Sequence, residues 1–260
     1  MATITAPVML LVAHAACGFS VDLPVTDAAR SDTSLDDGPR VDADAAQVSP
    51  CASDPTLRLC FSFDAPTLSS PLANEVAGAQ PAMIGAVTRI ERSPGNGAAQ
   101  FTAQSSMRIA MDPTVVGIAT LEAAFRADAL PANRAGLLDS NTSSNISLFL
   151  HPQSAGYTLR CGIGAVTENW LVPVTAGEWH HVACVCEAAQ LTLYVDGVAQ
   201  PSRQGECGGG AIIGDGFTIG SNNTGSAVVF DDQLVGAFDY VRLWSVPRTA
   251  AQIVDAAHAR

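Results

Sequence analysis

The chain has 260 residues, 48% of them hydrophobic and 6% aromatic, with 13 basic side chains against 25 Asp and Glu, a net charge of −12. Such a length and apolar content suffice for one sizeable core plus a tail. The charge excludes a nucleic-acid role, because phosphate contacts need clustered basic side chains. Every basic side chain is Arg and none is Lys, which reads as codon usage rather than function.

Residues 1–17 are expected to form a secretory signal. Their centre, Val8-Met9-Leu10-Leu11-Val12-Ala13, is too short to anchor stably across a bilayer, and it ends in small residues and Cys17. Ala15-Ala16-Cys17 resembles the cleavage box of bacterial lipoproteins, which implies that Cys17 is lipidated and becomes the new N-terminus. His14 stands where that family usually has Leu, and no Lys or Arg precedes the apolar run; ordinary secretion is the alternative. In residues 18–50, Asp22, Asp27, Asp32, Asp36, Asp37, Asp42 and Asp44 face only Arg30 and Arg40, with few large apolar side chains. Such a segment cannot bury enough surface to offset its ordering entropy, so a disordered acidic linker is expected, a tether holding the domain off a membrane.

From Cys51 onward the grammar is that of short strands. Leu57, Leu59, Phe61 and Phe63 alternate with Arg58, Cys60 and Ser62, the period of a half-buried strand. Residues 64–97 are looser, broken by Pro66, Pro71, Gly78, Pro81, Gly85, Pro94, Gly95 and Gly97. Met107 to Met111 and Thr120 to Arg126 are further strands. Gly136 to Leu138 leads through the polar loop 139–145 into Ile146 to Leu150. Tyr157 to Ile163 and Glu168 to Val174 read as a hairpin. Trp179 to Glu187 and Leu191 to Val195 are two extended segments joined at Ala188-Ala189-Gln190. Asp196-Gly197 then supplies a turn that tolerates positive φ, and Val198 restarts a strand. Phe217 to Gly220 begins the last group, and Thr249 with Gln252 has the spacing of a capping box for a final short helix. Short strands with regular turn signals specify an all-β sandwich.

Seven cysteines are present: Cys17, Cys51, Cys60, Cys161, Cys184, Cys186 and Cys207. Assigning Cys17 to lipid leaves an even set for a disulfide-permissive compartment. Cys51 with Cys60 is the expected bridge. Cys184 and Cys186 lie two apart on one strand and point to one face, so they do not pair with each other; they take Cys161 and Cys207 in an order left open. His180, Cys184 and Cys186 share that face and offer a zinc site as the alternative, although close turn-spaced Cys pairs are lacking.

Trp179-His180-His181-Val182-Ala183 followed by Leu193-Tyr194-Val195-Asp196-Gly197 resembles the signature of laminin-G-like, concanavalin A-like jelly-roll domains. Leu59 to Asp64, Gly97 to Phe101, Thr120 to Phe125, Gly236 to Trp244 and Ser245 to Ile253 are similar to further landmarks of that family, in order. The resemblance covers most of residues 51–260. It implies an antiparallel jelly-roll β-sandwich with a short C-terminal helix, following the signal (1–17) and the linker (18–50).

By resemblance, Asp64 and Asp239 are candidates for a structural Ca²⁺, with Asn74 or Glu75 as helpers, since a hard cation takes six to eight oxygens. The other reading makes them hydrogen-bonded strand-end residues. Asp139 and Asp231-Asp232 are weaker candidates, as solvated loop charges. For a ligand surface, Trp170 is the aromatic candidate, while Trp179 and Trp244 match signature core positions. The loops containing Asn141 and Asn145, and Asn222 and Asn223, would supply polar contacts. No catalytic residue is expected. Glu122 stands alone on its strand, Glu168 lies near a turn, and His180-His181 match the signature. The Glu-x-Asp-x-x-Glu pattern common in jelly-roll glycosidases is absent, as are a Gly-x-Ser-x-Gly elbow and a phosphate-cradling loop.

The expectation is a non-catalytic extracellular binding or adhesion module recognising a glycan or a cell-surface protein, touching a membrane only through a lipid anchor. The alternatives are a glycoside hydrolase or lyase on the same fold, and a structural envelope lipoprotein.

Overall fold

The computed structural model describes residues 49–140, 145–154, 156–225 and 229–259. Cys17, the signal, the linker up to residue 48 and Asn141 lie outside the described residues.

Among the described residues, eighteen strands and one helix follow in chain order. The first six are β1 (Leu57–Phe61), β2 (Ala82–Gly85), β3 (Thr88–Ser93), β4 (Asn96–Phe101), β5 (Ser106–Ile109) and β6 (Thr120–Ala127). Next come β7 (Ala135–Asp139), β8 (Asn145–Gln153), β9 (Gly156–Gly164), β10 (Val166–Val172), β11 (Trp179–Glu187) and β12 (Gln190–Val195). The last are β13 (Val198–Ala199), β14 (Arg203–Gln204), β15 (Phe217–Ile219), β16 (Asn222–Asn223), β17 (Phe230–Asp231) and β18 (Gly236–Trp244), closed by α1 (Ala250–His258).

Two antiparallel sheets carry the fold. The nine-stranded sheet runs β13-β12-β11-β6-β18-β4-β3, with β1 on β18 and β14 on β12; the seven-stranded sheet runs β10-β9-β8-β7-β15-β5-β2. A separate hairpin pairs β16 with β17. The core lies between the sheets, where Phe61, Phe101, Phe125, Phe217 and Phe238 are fully buried with Leu121, Leu148 and Ile163. This is the all-β sandwich that the strand pattern specifies.

The expected hairpins form as read. Glu187 pairs with Gln190 across Ala188 and Ala189, both at positive φ, and Asp196 and Gly197 turn at φ 50° and 78° into β13. The first strand is shorter than expected, because Phe63 adopts φ 58° and turns the chain after Phe61. Asp239 does not open the last strand: it lies inside β18 at an irregularity in the pairing with β6. The capping box is present, with Thr249 and Gln252 bonded reciprocally, and Ile253 packs on Ala183 and Val185.

Among the described residues three disulfides form. Cys51–Cys60 fastens the domain's entry to β1, and Cys186–Cys207 ties β11 to the segment after β14. Cys161–Cys184 joins β9 of one sheet to β11 of the other through the core, both residues fully buried. The open order is thereby resolved, and the sulfurs of Cys184 and Cys186 are not available to zinc.

Candidate functional site

The Trp-His-His signature forms a structural latch. His180 Nε2 accepts the Thr175 backbone N–H at 3.1 Å, so its Nδ1 carries the proton and donates to Asp196 Oδ2 at 2.9 Å. The other Asp196 oxygen accepts the His181 backbone N–H at 2.7 Å. The turn aspartate is thus bonded back to the strand that precedes its own hairpin. This hydrogen bond raises the pKa of His180, and the pKa of Asp196 is lowered by His180 and the His181 N–H against the opposing effect of its burial.

On the outward side of the nine-stranded sheet, Glu122 is sealed. His181 Nε2 lies 2.9 Å from Oε1, Arg242 Nη2 donates to the same oxygen at 2.5 Å, and Trp244 Nε1 donates to Oε2 at 3.1 Å. Burial alone would raise its pKa; Arg242 and His181 outweigh it and bring the value to about 2. Glu122 is a buried permanent anion that a substrate does not reach.

The metal candidates are occupied by protein groups. Asp239 Oδ2 is ion-paired to Arg92 at 2.6 Å, and Asp64 Oδ1 accepts the Gly97 N–H at 3.0 Å. Asn74 accepts from Cys60 and Val76, and Glu75 from Ser62, so this segment is laced to β1. Among the described residues no three His, Cys, Asp or Glu side chains gather as a metal-holding group. A carboxylate committed to a guanidinium does not fit a Ca²⁺ shell built from several carboxylate and carbonyl oxygens.

The two tryptophans exchange the expected roles. Trp170 is 3% exposed, within the core, its Nε1–H donating to Pro201 O at 2.8 Å. It shares the inward face of β10 with Val166 and Val172, so it is no stacking platform. Trp179 instead shares the outward face of β11 with His181 and is half-buried, with the guanidiniums of Arg92 and Arg126 over its ring at 4.8 and 5.4 Å. Trp244 is buried as expected.

A partly exposed polar surface lies on the outward face of the seven-stranded sheet. Ile146, Leu148 and Leu150 of β8 enter the core, so Asn145, Ser147, Phe149 and His151 lie on the other face, where Ser147 and Phe149 are buried and Asn145 and His151 half-buried. Across β9, Gly162 stands opposite Ser147 and Arg160 opposite Phe149. Beyond them, Thr167, Asn169 and Leu171 of β10 continue the face, the last two exposed. A Cβ on Gly162 would come within 2.3–2.7 Å of Asn145 Nδ2, Ser147 Oγ and Thr167 Oγ1. The glycine is what lets these three polar groups converge, with Asn145 donating to Thr167 at 3.1 Å.

One wall of this face is the segment after β15. Gly136 of β7 lies under it, since a Cβ there would meet Ser221 and Asn222 backbone at 2.4–2.6 Å. Asn223 is buried, its N–H bonded to Asp139 Oδ2 and its amide to Gly216 O. It therefore builds the wall rather than contacting a ligand, and Asp139 is a buried acceptor rather than a solvated charge. Asn222 is half-buried and donates to Asp231 Oδ1 at 2.5 Å, closing the β16–β17 hairpin. Arg134 pairs with Asp232 at 2.5 Å and lies 5.2 Å over the Phe149 ring, next to which sits His151. At the far edge a hollow of about 310 Å³ is lined by Met83, Ile84, Ser106, Arg108, Ala110 and Phe230.

Of the expected ligand residues, Asn145 and Asn222 reach this face, Trp170 and Asn223 do not, and Asn141 lies outside the described residues. Arg134, His151, Arg160, Gly162 and Asn169 were not singled out by the sequence. The signal was the parity of β8: once Ile146, Leu148 and Leu150 are inward, their neighbours define the opposite face.

A family model described as the concanavalin A-like lectin/glucanases superfamily matches residues 96–254. No curated protein shows significant sequence similarity to the chain. The fold is similar to domain 4 of AbnA, a GH43 extracellular arabinanase from Geobacillus stearothermophilus in complex with arabinotriose. The TM-score is 0.57 at 18% identity, over 78% of this chain and 98% of that one. It is also similar to part of Trypanosoma rangeli sialidase in complex with sialic acid, with a TM-score of 0.54 and 15% identity, over 80% of this chain and 34% of that one. The chain spans about a third of the sialidase, and at these identities the likeness is one of fold.

Proposed function

This chain belongs to the concanavalin A-like lectin/glucanase superfamily, and from that premise we propose that it is an extracellular, non-catalytic glycan-binding module. The observation that carries the reading is the outward face of the seven-stranded sheet. There half-buried Asn145 and Thr167 converge over Gly162 above the buried Ser147, beside Arg160, His151 and the exposed Asn169. Amide, hydroxyl, imidazole and guanidinium groups on a rigid sheet are the donors and acceptors a saccharide's hydroxyls require. The arabinotriose bound to the arabinanase domain of similar fold supports the same substrate class.

Three disulfides support an oxidising, exported setting. In this reading Cys17 carries the anchor and residues 18–50 the spacer. The absence of catalysis is part of the proposal: glycosidases need two carboxylates flanking one bond, whereas Glu122 is sealed, Asp139 holds Asn223 and Asp232 is paired to Arg134.

The test is a glycan-array screen of the full chain, run with CaCl₂ and again with a chelator. Saccharide binding without release of reducing sugar is expected. Cleavage of a bound saccharide would replace the module by an enzyme, and binding lost in chelator would restore a Ca²⁺ requirement.

A further inference from the structure

Among the described residues, the outward face of the seven-stranded sheet holds a cation, Arg160, that the fold does not pair. Arg134 is neutralised by Asp232 and stacked on Phe149. Arg160 stands directly opposite Phe149 on the neighbouring strand, half-buried, and among the described residues its guanidinium has no hydrogen bond or ion pair. His151 completes the group, its ring 5.9 Å from that of Phe149 and its Nε2 buried without a hydrogen-bond partner. Asn169, directly across from Arg160 on β10, is exposed.

The charge balance of this cluster runs against that of the chain. Within the cluster itself Arg134, Arg160 and Asp232 leave one positive charge, in a protein whose net charge is −12. A partly buried guanidinium without a hydrogen-bond or ion-pair partner is stabilised when an anion joins it. Neutral sugar hydroxyls would not require that arrangement. Burial and the two nearby guanidiniums lower the pKa of His151, so near neutral pH it offers a hydrogen bond rather than a further charge.

We propose that this face selects an anionic saccharide, whose carboxylate or sulfate seats on Arg160 while His151 and Asn169 bond adjacent hydroxyls. The inference rests on the reading of this face as the glycan site and adds the charge of the ligand. A guanidinium matches either oxyanion with two parallel N–H donors.

The experiment is binding of the full chain to an array holding uronic-acid, sulfated and neutral saccharides, at low and high salt, repeated with Arg160→Ala and Arg160→Lys. Hits confined to acidic members are expected, with the uronic-acid and sulfated arms telling carboxylate from sulfate. Affinity should fall at least tenfold in Arg160→Ala, less in Arg160→Lys, and markedly at high salt in the unmodified protein. Arg160 is half-exposed, so both variants should melt close to the parent. Neutral saccharides bound as well as acidic ones, with Arg160→Ala unaffected, would overturn the anionic inference and leave glycan binding standing. No saccharide bound at all would overturn both.

Discussion

The Asp196 carboxylate holds His180 through its ring at 2.9 Å, and its second oxygen takes the backbone N–H of the next residue. This relationship makes a turn aspartate part of the strand before it, and it is titratable from both sides. The folded pKa of His180 is raised above 6.5, so its contribution is complete below that value and is lost as pH rises through the raised one. The folded pKa of Asp196 is lowered below 3.8, so its contribution is present above that value and is lost as pH falls through the lowered one. Asp196→Asn should therefore lower the melting temperature more at pH 5.5 than at pH 8.5. Asp196 is half exposed, and screening keeps the loss near 1 kcal/mol, about 2–4 °C for a domain of this size. Thermal unfolding at the two pH values checks the difference.

Glu122 gives the acid limb. Its folded pKa of about 2 lies below the ordinary 4.5, so its stabilisation is present above pH 4.5 and disappears as pH falls toward 2. Glu122→Ala removes the buried acceptor of Arg242, His181 and Trp244 together. Stranding a buried cation costs about 3–5 kcal/mol. Denaturant unfolding at pH 7 should show that loss, and the gap between variant and parent should narrow toward pH 2.

The Cys161–Cys184 bridge closes a loop of 23 residues across the core. Chain-entropy reasoning assigns such a loop about 3 kcal/mol. Replacing both cysteines by Ala should lower the melting temperature by roughly 6–12 °C, measurable by calorimetry against the unmodified protein.

Trp170→Ala should act on stability rather than recognition. Removing a buried Trp costs about 3–5 kcal/mol, and here it also strands the Pro201 carbonyl. Among folded molecules, saccharide affinity should stay within a few-fold of the parent. A titration below the variant's melting temperature separates the two effects.

The strand order was legible because apolar alternation and the Asp-Gly turn are local signals, and the resemblance supplied the sandwich. The Trp170 assignment failed for a tertiary reason. Its parity with Val166 and Val172 places it inward, and that becomes decisive only when β10 is known to be covered on one side. The partner of Asp239 was illegible because Arg92 lies 147 positions away, a separation no local pattern carries. The proposed glycan face was illegible for the same reason. Arg134, Arg160 and Asn169 stand on or beside three different strands, and only the register of β8, β9 and β10 makes them neighbours.

The most direct measurement is a crystal structure of the protein with the saccharide that binds best on the array. Expected is a saccharide lying on the outward face of the seven-stranded sheet, in contact with Arg160, His151 and Asn169. A saccharide seated on the nine-stranded sheet near Trp179, or in the hollow beside Met83, would contradict that placement.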